Sequence, residues 1–84
     1  MVSNLEYYKV FYFAAYCGSL TQAALKLSIS QPAVSQALRQ LEEALDTKLF
    51  VRCARGIRLT REGEELFSHV KRGYEEIALG EKKL

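Results

Sequence analysis

Acidic side chains are missing from most of the first half of this sequence: none occurs from Tyr7 to Leu41, and none again from Lys48 to Arg61. The second window holds five cations instead, Lys48, Arg52, Arg55, Arg58 and Arg61. Carboxylates gather at Glu42, Glu43 and Asp46 and again between Glu62 and Glu81. One surface of the folded chain should therefore be cationic and another balanced, although the net charge is only +2. That is the electrostatic outline of a protein that binds a polyanion.

Cysteine and histidine are scarce as well. Two cysteines, with no secretory signal and no apolar run near the roughly 18 residues that span a bilayer, point to a soluble protein of a reducing, cytoplasmic compartment with no membrane contact. One histidine and two cysteines, none at ligand spacing, leave no convincing zinc site, and no cofactor is expected. Cys53, although it stands among arginines, reads as a bystander in a loop. Internal repeats and low-complexity segments are also lacking.

With 84 residues, 49% of them hydrophobic, the chain is one domain at most. A domain of this size buries only about 60% of the surface its unfolded chain exposes. Its core is marginal unless a partner covers part of it, so dimerisation is expected.

Ser3-x-x-Glu6 reads as a capping box. It opens a first helix near Asn4 to Cys17 on which Leu5, Tyr8, Phe11, Tyr12 and Ala15 recur at helical spacing, and Gly18 ends it. The aromatic stripe could offer a stacking platform for bases, but at this spacing it reads as core. Ser19-x-x-Gln22 repeats the cap before a short second helix with a small-residue face, Ala23 and Ala24. Ser28-Ile29-Ser30 is a tight turn with Ile29 as an apolar plug. Ser30 then caps a third helix with Pro32 in its first turn, where the missing amide has no intrahelical acceptor anyway.

The third helix runs to about Leu45, with Val34, Leu38, Leu41 and Leu45 along one side. Its other side presents Gln31, Ser35, Gln36, Arg39 and Gln40 beside the compact Pro32 and Ala33. A merely solvated face usually favours Glu and Lys. Three glutamines, a serine and an arginine instead suit the edges of bases, Gln with adenine and Arg with guanine.

Two short extended pieces follow, Leu49–Val51 and Ile57–Thr60, joined across Arg52–Gly56, with Gly56 as the permissive turn residue. Two such strands are unstable alone and must pack against the helices. The cations at 52, 55 and 58 make this hairpin a basic finger. Thr60 caps a last helix with Glu62 and Glu64 in its first turn. On it Leu66, Val70, Gly73, Ile77, Gly80 and Leu84 approach a coiled-coil seam, flanked by Phe67 and Tyr74. The seam faces either a second chain or the first helix of its own chain. Gly73 and Gly80 make sense if two backbones approach closely there.

The ordered set Gly18-Ser19-Leu20-Thr21-Gln22-Ala23-Ala24, Ser30-Gln31-Pro32-Ala33-Val34-Ser35-Gln36, Leu41-Glu42, and Leu49-Phe50-x-Arg52-x-x-Arg55-x-x-x-Leu59-Thr60-x-x-Gly63 resembles the N-terminal domain of LysR-type transcriptional regulators over nearly the whole chain. The resemblance implies a mainly α fold, a winged helix-turn-helix over residues 1–60 with a three-helix core and a two-stranded wing. Residues 61–84 would be a linker helix that dimerises. It also implies sequence-specific binding of double-stranded DNA by a bacterial repressor or activator. Gln31, Pro32 and Ser35 match the start of the recognition helix in the major groove. Gln36 stands where the family often has Arg or Lys, and Arg39 matches a basic position facing DNA. Arg52 and Arg55 match the wing, with an arginine reaching the minor groove, and Thr60 matches a backbone-contacting position.

Ser19, Thr21, Ser30 and Arg58 complete the expected backbone-holding set, and Leu66, Val70, Tyr74 and Ile77 the dimerisation helix. A homodimer would favour an interrupted palindromic operator. The effector-binding domain of such regulators is absent from this chain, which is expected to be either a piece of a longer regulator or a short relative. Any small-molecule co-inducer would act only in the full-length protein.

Two other classes compete. A protein-interaction module could use the same scaffold and dock through its last helix, but the acid-free stretches argue against it. Catalysis is not expected: Ser35 and Cys53 have only His69 as an imidazole base, outside both motifs, and no phosphate-binding glycine loop is present.

Overall fold

A computed structural model describes residues 4–84 of the chain. In order along it come α1 (Leu5–Cys17), α2 (Leu20–Leu27), α3 (Gln31–Leu45), β1 (Phe50–Cys53), β2 (Gly56–Leu59) and α4 (Arg61–Lys82). The architecture is mainly helical, a three-helix core with a two-stranded antiparallel wing and a long last helix.

The helix starts follow from side-chain oxygens that accept otherwise orphaned amides. Ser19 accepts from Gln22, Ser30 from Ala33 and Thr60 from Gly63. At α1 the cap is Asn4, whose Oδ1 accepts the Glu6 amide at 2.7 Å; the expected Ser3 lies outside the described residues. Asparagine serves because its short carbonyl reaches the amide two residues on.

Helix ends show what residue type alone left open. Gly18 takes the left-handed conformation at φ 65°, as expected, but Ser28 (φ 58°) and Asp46 (φ 53°) do the same without being glycine. At each of these two ends the amide of the next residue reaches back five residues, Ile29 to the Ala24 carbonyl at 3.1 Å and Thr47 to the Glu42 carbonyl at 3.0 Å. These bonds satisfy the last carbonyls of α2 and α3 and turn the chain sharply. Ile29, expected as a plug, is 40% exposed, because the turn is closed by its backbone bonds rather than by its side chain.

Val10, Phe11 and Ala14 of α1 meet Ala23 and Ala24 of α2 and Val34, Leu38 and Leu41 of α3 in one buried cluster. The two alanines let α2 lie close against its neighbours. Leu49 and Ile57 join from the hairpin segment, and Phe50 places its ring 5.4 Å from that of Phe11. The hairpin thus gains the apolar cover that two short strands need.

The register pairs Phe50 with Leu59, Val51 with Arg58, Arg52 with Ile57 and Cys53 with Gly56. The strands extend further than apolar patterning suggested, and the connection shrinks to Ala54–Arg55. At the tip every side chain from Val51 to Arg55 is exposed, so hydrophobic alternation could not report the extension. Gly56 lies in β2 at φ 132°, packed so closely on the Gly18 carbonyl that a Cβ would strike it, while the Ile57 amide donates to that same oxygen at 3.2 Å.

Helix α4 divides in two. Leu66, Phe67 and Val70 pack against the core, and Tyr74 stacks on Tyr12 of α1. Beyond Tyr74 every residue is exposed, Ile77 by 64% and Leu79 by 48%. A Cβ on Gly73 or Gly80 would meet nothing within 4 Å, so no neighbour among the described residues requires either glycine.

Candidate nucleic-acid interface

Helix α3 and the hairpin enclose an open cleft of about 450 Å³. Ser35 and Arg39 line it from α3, Arg52 lines it from β1, and Lys48 lines it from the connection between them. Two successive elements, a helix and a strand, therefore present their cations to one concavity. The cap at Ser30 and the stop at Asp46 set the length of α3, and the buried side of Val34, Leu38 and Leu41 turns Gln36, Arg39 and Gln40 outward, where all three are exposed.

Gln31 is half-buried, and its Nε2 lies 3.3 Å from Ser35 Oγ one turn on. That hydrogen bond restrains the amide at the start of the helix and lowers the rotamer entropy it would lose on meeting a base. Pro32 and Ala33 beside it are exposed and short, leaving room for close approach.

The capping hydroxyls differ in what they can still do. Ser19 Oγ and Ser30 Oγ accept amide protons, at 3.2 Å each, and among the described residues give their own protons to no acceptor, which leaves them for an anion. Thr60 is different: Oγ1 accepts from the Gly63 amide and donates its proton to the Lys48 carbonyl at 2.7 Å. The side chain expected to meet the DNA backbone also closes the base of the hairpin, helped by its own amide, which donates to the Leu49 carbonyl at 2.9 Å.

The three hairpin arginines are not equivalent. Arg52 shares a face with Phe50, Ile57 and Leu59 and extends that face into the cleft, whereas Arg58 stands opposite Val51 on the other face. Arg55 is at the turn. Thr21, Arg39, Arg52, Arg55 and Arg58 are all exposed, and among the described residues none of these arginines forms an ion pair. Their charge is available to an outside anion.

Sequence reasoning assigned no role to Glu42, which the structure places inside this cationic cleft. Its side chain is only 15% exposed, with Oε1 3.7 Å from Lys48 Nζ. Oε2 accepts the amides of Leu49 at 2.8 Å and Phe50 at 3.2 Å. The available signals were an acid just after the first acid-free stretch and its place in the Leu41-Glu42 piece of the family pattern, and neither says what the acid holds.

His69 lines a different cleft, with Thr47, Arg61 and Glu65 among its neighbours. Its Nδ1 is 2.9 Å from Arg72 Nη2 and its Nε2 is 3.4 Å from Glu65. Ser35 belongs to the α3 cleft, so the imidazole and the candidate nucleophile line separate surfaces.

A helical trio whose third helix and basic wing bound one cationic concavity defines a winged helix-turn-helix DNA-binding domain. Residues 5–64 match the model of the bacterial regulatory helix-turn-helix proteins of the lysR family, and the chain belongs to that family. It is 42% identical over 76 residues to the HTH-type transcriptional regulator PerR of Escherichia coli K12, covering 90% of this chain and 26% of that protein. To the HTH-type transcriptional activator AmpR of Providencia stuartii it is 46% identical over 59 residues, 70% of this chain and 20% of the relative. The chain thus spans between a fifth and about a quarter of the length of such curated relatives.

Among solved structures, the BenM DNA-binding domain in complex with catB site 1 DNA superimposes with a TM-score of 0.87 at 27% identity, covering 96% of this chain and 91% of that one. The complex of the CbnR DNA-binding domain with DNA gives 0.83 at 28% identity, covering 96% and 93%. The relatives are transcriptional regulators. No helix among the described residues is long and apolar enough to cross a membrane.

Proposed function

We propose that this chain reads duplex DNA by laying the start of α3 in the major groove while the wing holds the backbone and the adjoining minor groove. The observation that carries this reading is the shared cleft, in which Ser35 and Arg39 of the helix and Arg52 of the wing face one space. Labour divides by chemistry: Gln31, Ser35, Gln36 and Arg39 meet base edges, and the cations with the free hydroxyl protons of Ser19 and Ser30 hold phosphates. Thr21, exposed near the start of α2, adds a further donor. Arg55, exposed at the turn, reaches into the minor groove. Thr60 acts indirectly, by setting the base of the wing.

Two copies pair through α4. What supports this is the outer half of that helix, where Ile77 is open and Gly73 and Gly80 leave the backbone bare. Leu66, Val70 and Tyr74 brace the same helix against its own core. A two-fold dimer presents two copies of α3 about 34 Å apart, or a multiple of that, and selects an interrupted palindrome. Residues 1–60 then form the reading head and 61–84 the linker. Any small-molecule co-inducer would act only in a full-length regulator.

The test is selection of binding sites by the 84-residue chain from a randomised duplex pool at two salt concentrations. The expected result is a palindromic preference and an affinity that falls by about 0.9 in log K per log unit of salt for each phosphate neutralised. Gln31→Ala should relax preference at particular bases, by about 1 to 3 kcal/mol for each bidentate pair removed. Duplex binding too weak to detect at low salt would instead favour a protein-docking module.

A further inference from the structure

The side chain that joins the two halves of the cleft is an acid. Glu42, near the end of α3, gives one carboxylate oxygen to the amides of Leu49 and Phe50, where the hairpin begins. Among the described residues these are the hydrogen bonds that run from α3 to the hairpin segment. The wing's other ties go elsewhere, from Ile57 to Gly18 and from Thr60 to Lys48 and Leu49. Glu42 is also the one acid among the residues lining the cleft, facing Arg39, Lys48 and Arg52. Simple electrostatics makes a carboxylate there unfavourable for a protein that attracts phosphates.

We infer that Glu42 is a positioning residue for DNA recognition: by accepting the first amides of the hairpin segment it fixes the offset between α3 and the wing, so that both engage one duplex together. The inference rests on the DNA-binding reading above. A buried amide that loses its acceptor seeks water or another partner, and the start of β1, no longer tied to α3 by hydrogen bonds, shifts against it. Arg52 moves with it. The contribution of the wing is then lost without any change in the wing's own side chains.

Charge and position separate cleanly in two variants. Glu42→Gln removes the negative charge but keeps a side-chain oxygen that can accept the Leu49 and Phe50 amides. Glu42→Ala removes both. If charge alone mattered, both variants would bind DNA more tightly than the parent. Positioning predicts that Glu42→Gln binds at least as well as the parent while Glu42→Ala binds about tenfold more weakly than Glu42→Gln, a difference of roughly 1.4 kcal/mol.

Affinities of the parent and the variants for one selected duplex should be measured with and without Arg52→Ala. Arg52→Ala should weaken the parent several-fold yet change the Glu42→Ala protein less than about twofold, because in that background the wing no longer reaches the backbone. A purely structural loss would lower the folded fraction and leave the Arg52→Ala factor intact. The inference is overturned if the alanine and glutamine variants bind within about twofold of each other, or if Arg52→Ala costs the same factor in both backgrounds. Failure of the parent itself to bind any duplex would remove the DNA-binding reading, and this inference with it.

Discussion

Tyr74 of α4 lies flat on Tyr12 of α1, with ring centroids 4.6 Å apart and planes inclined by 12°. Phe67 also stacks on Tyr12, at 5.9 Å, and Phe13 meets Tyr74 edge-on at 6.2 Å. This aromatic seam fastens the last helix to the first and so sets the direction in which the outer half of α4 leaves the domain. The arrangement of any second copy depends on that direction.

Replacing Tyr74 by alanine should lower stability by about 0.5 to 1.5 kcal/mol beyond the loss of buried area, whereas phenylalanine should keep the stack. Burial first, and then the nearby Glu6 and Tyr12, raise the Tyr74 phenol above its ordinary 10.0. The folded state therefore holds that proton more tightly than the unfolded chain does. The stability this represents is fully present below pH 10.0 and is lost as pH climbs through the higher folded value. Denaturant titrations across that alkaline range should show a decline that is shallower in Tyr74→Phe; equal slopes would count against the assignment.

Ser28 holds a left-handed conformation at φ 58° with an exposed side chain that makes no hydrogen bond among the described residues. Such a conformation costs a residue with a Cβ about 1 to 2 kcal/mol, part of which glycine returns as unfolded-state entropy. Ser28→Gly should therefore stabilise the domain by up to about 1 kcal/mol, with a melting temperature roughly 4 to 8 °C higher. Asp46→Gly should gain less, because aspartate tolerates this region better. Thermal unfolding of the two single variants checks the order.

Glycine to alanine has opposite signs at two positions of α4. At Gly63 the new methyl group would run into the Leu49 carbonyl, so Gly63→Ala should destabilise by about 1 to 3 kcal/mol as the wing base is forced off the helix. At Gly73 it meets open space among the described residues, and alanine should strengthen the helix by roughly 0.5 to 1 kcal/mol. If two α4 helices pack closely there, Gly73→Ala should also weaken the dimer. Sedimentation of the variant beside the parent, together with its melting curve, separates the two effects.

Arg52 and Arg58 occupy opposite faces of the hairpin, and only Arg52 lines the cleft. Arg52→Ala should reduce the salt slope by about one phosphate's share, near 0.9. Arg58→Ala should reduce it less. Duplex affinities at a series of salt concentrations give both slopes, and a larger change at Arg58 would reverse the proposed orientation of the wing.

Much of this protein was legible along the chain because the relevant physics is local. Ser19, Ser30 and Thr60 cap the helices they precede, and the spacing of Val34, Leu38 and Leu41 decides which side of α3 is buried. The acid-free windows and the arginine spacing at 52, 55 and 58 announce a cationic surface ahead of any fold. Ser28 and Asp46 escaped because a left-handed stop without glycine leaves no residue-type signature. The length of the hairpin escaped because its tip is exposed on both faces. The sequence by itself determined the elements, the core stripe and the sign of the charge, all properties of residues within a turn or two of one another. Only the tertiary structure decided that Arg52 and not Arg58 faces α3, that Tyr74 stacks on Tyr12, and that an acid braces the wing. Those outcomes depend on strand register and on how whole elements pack against one another, which no local pattern encodes.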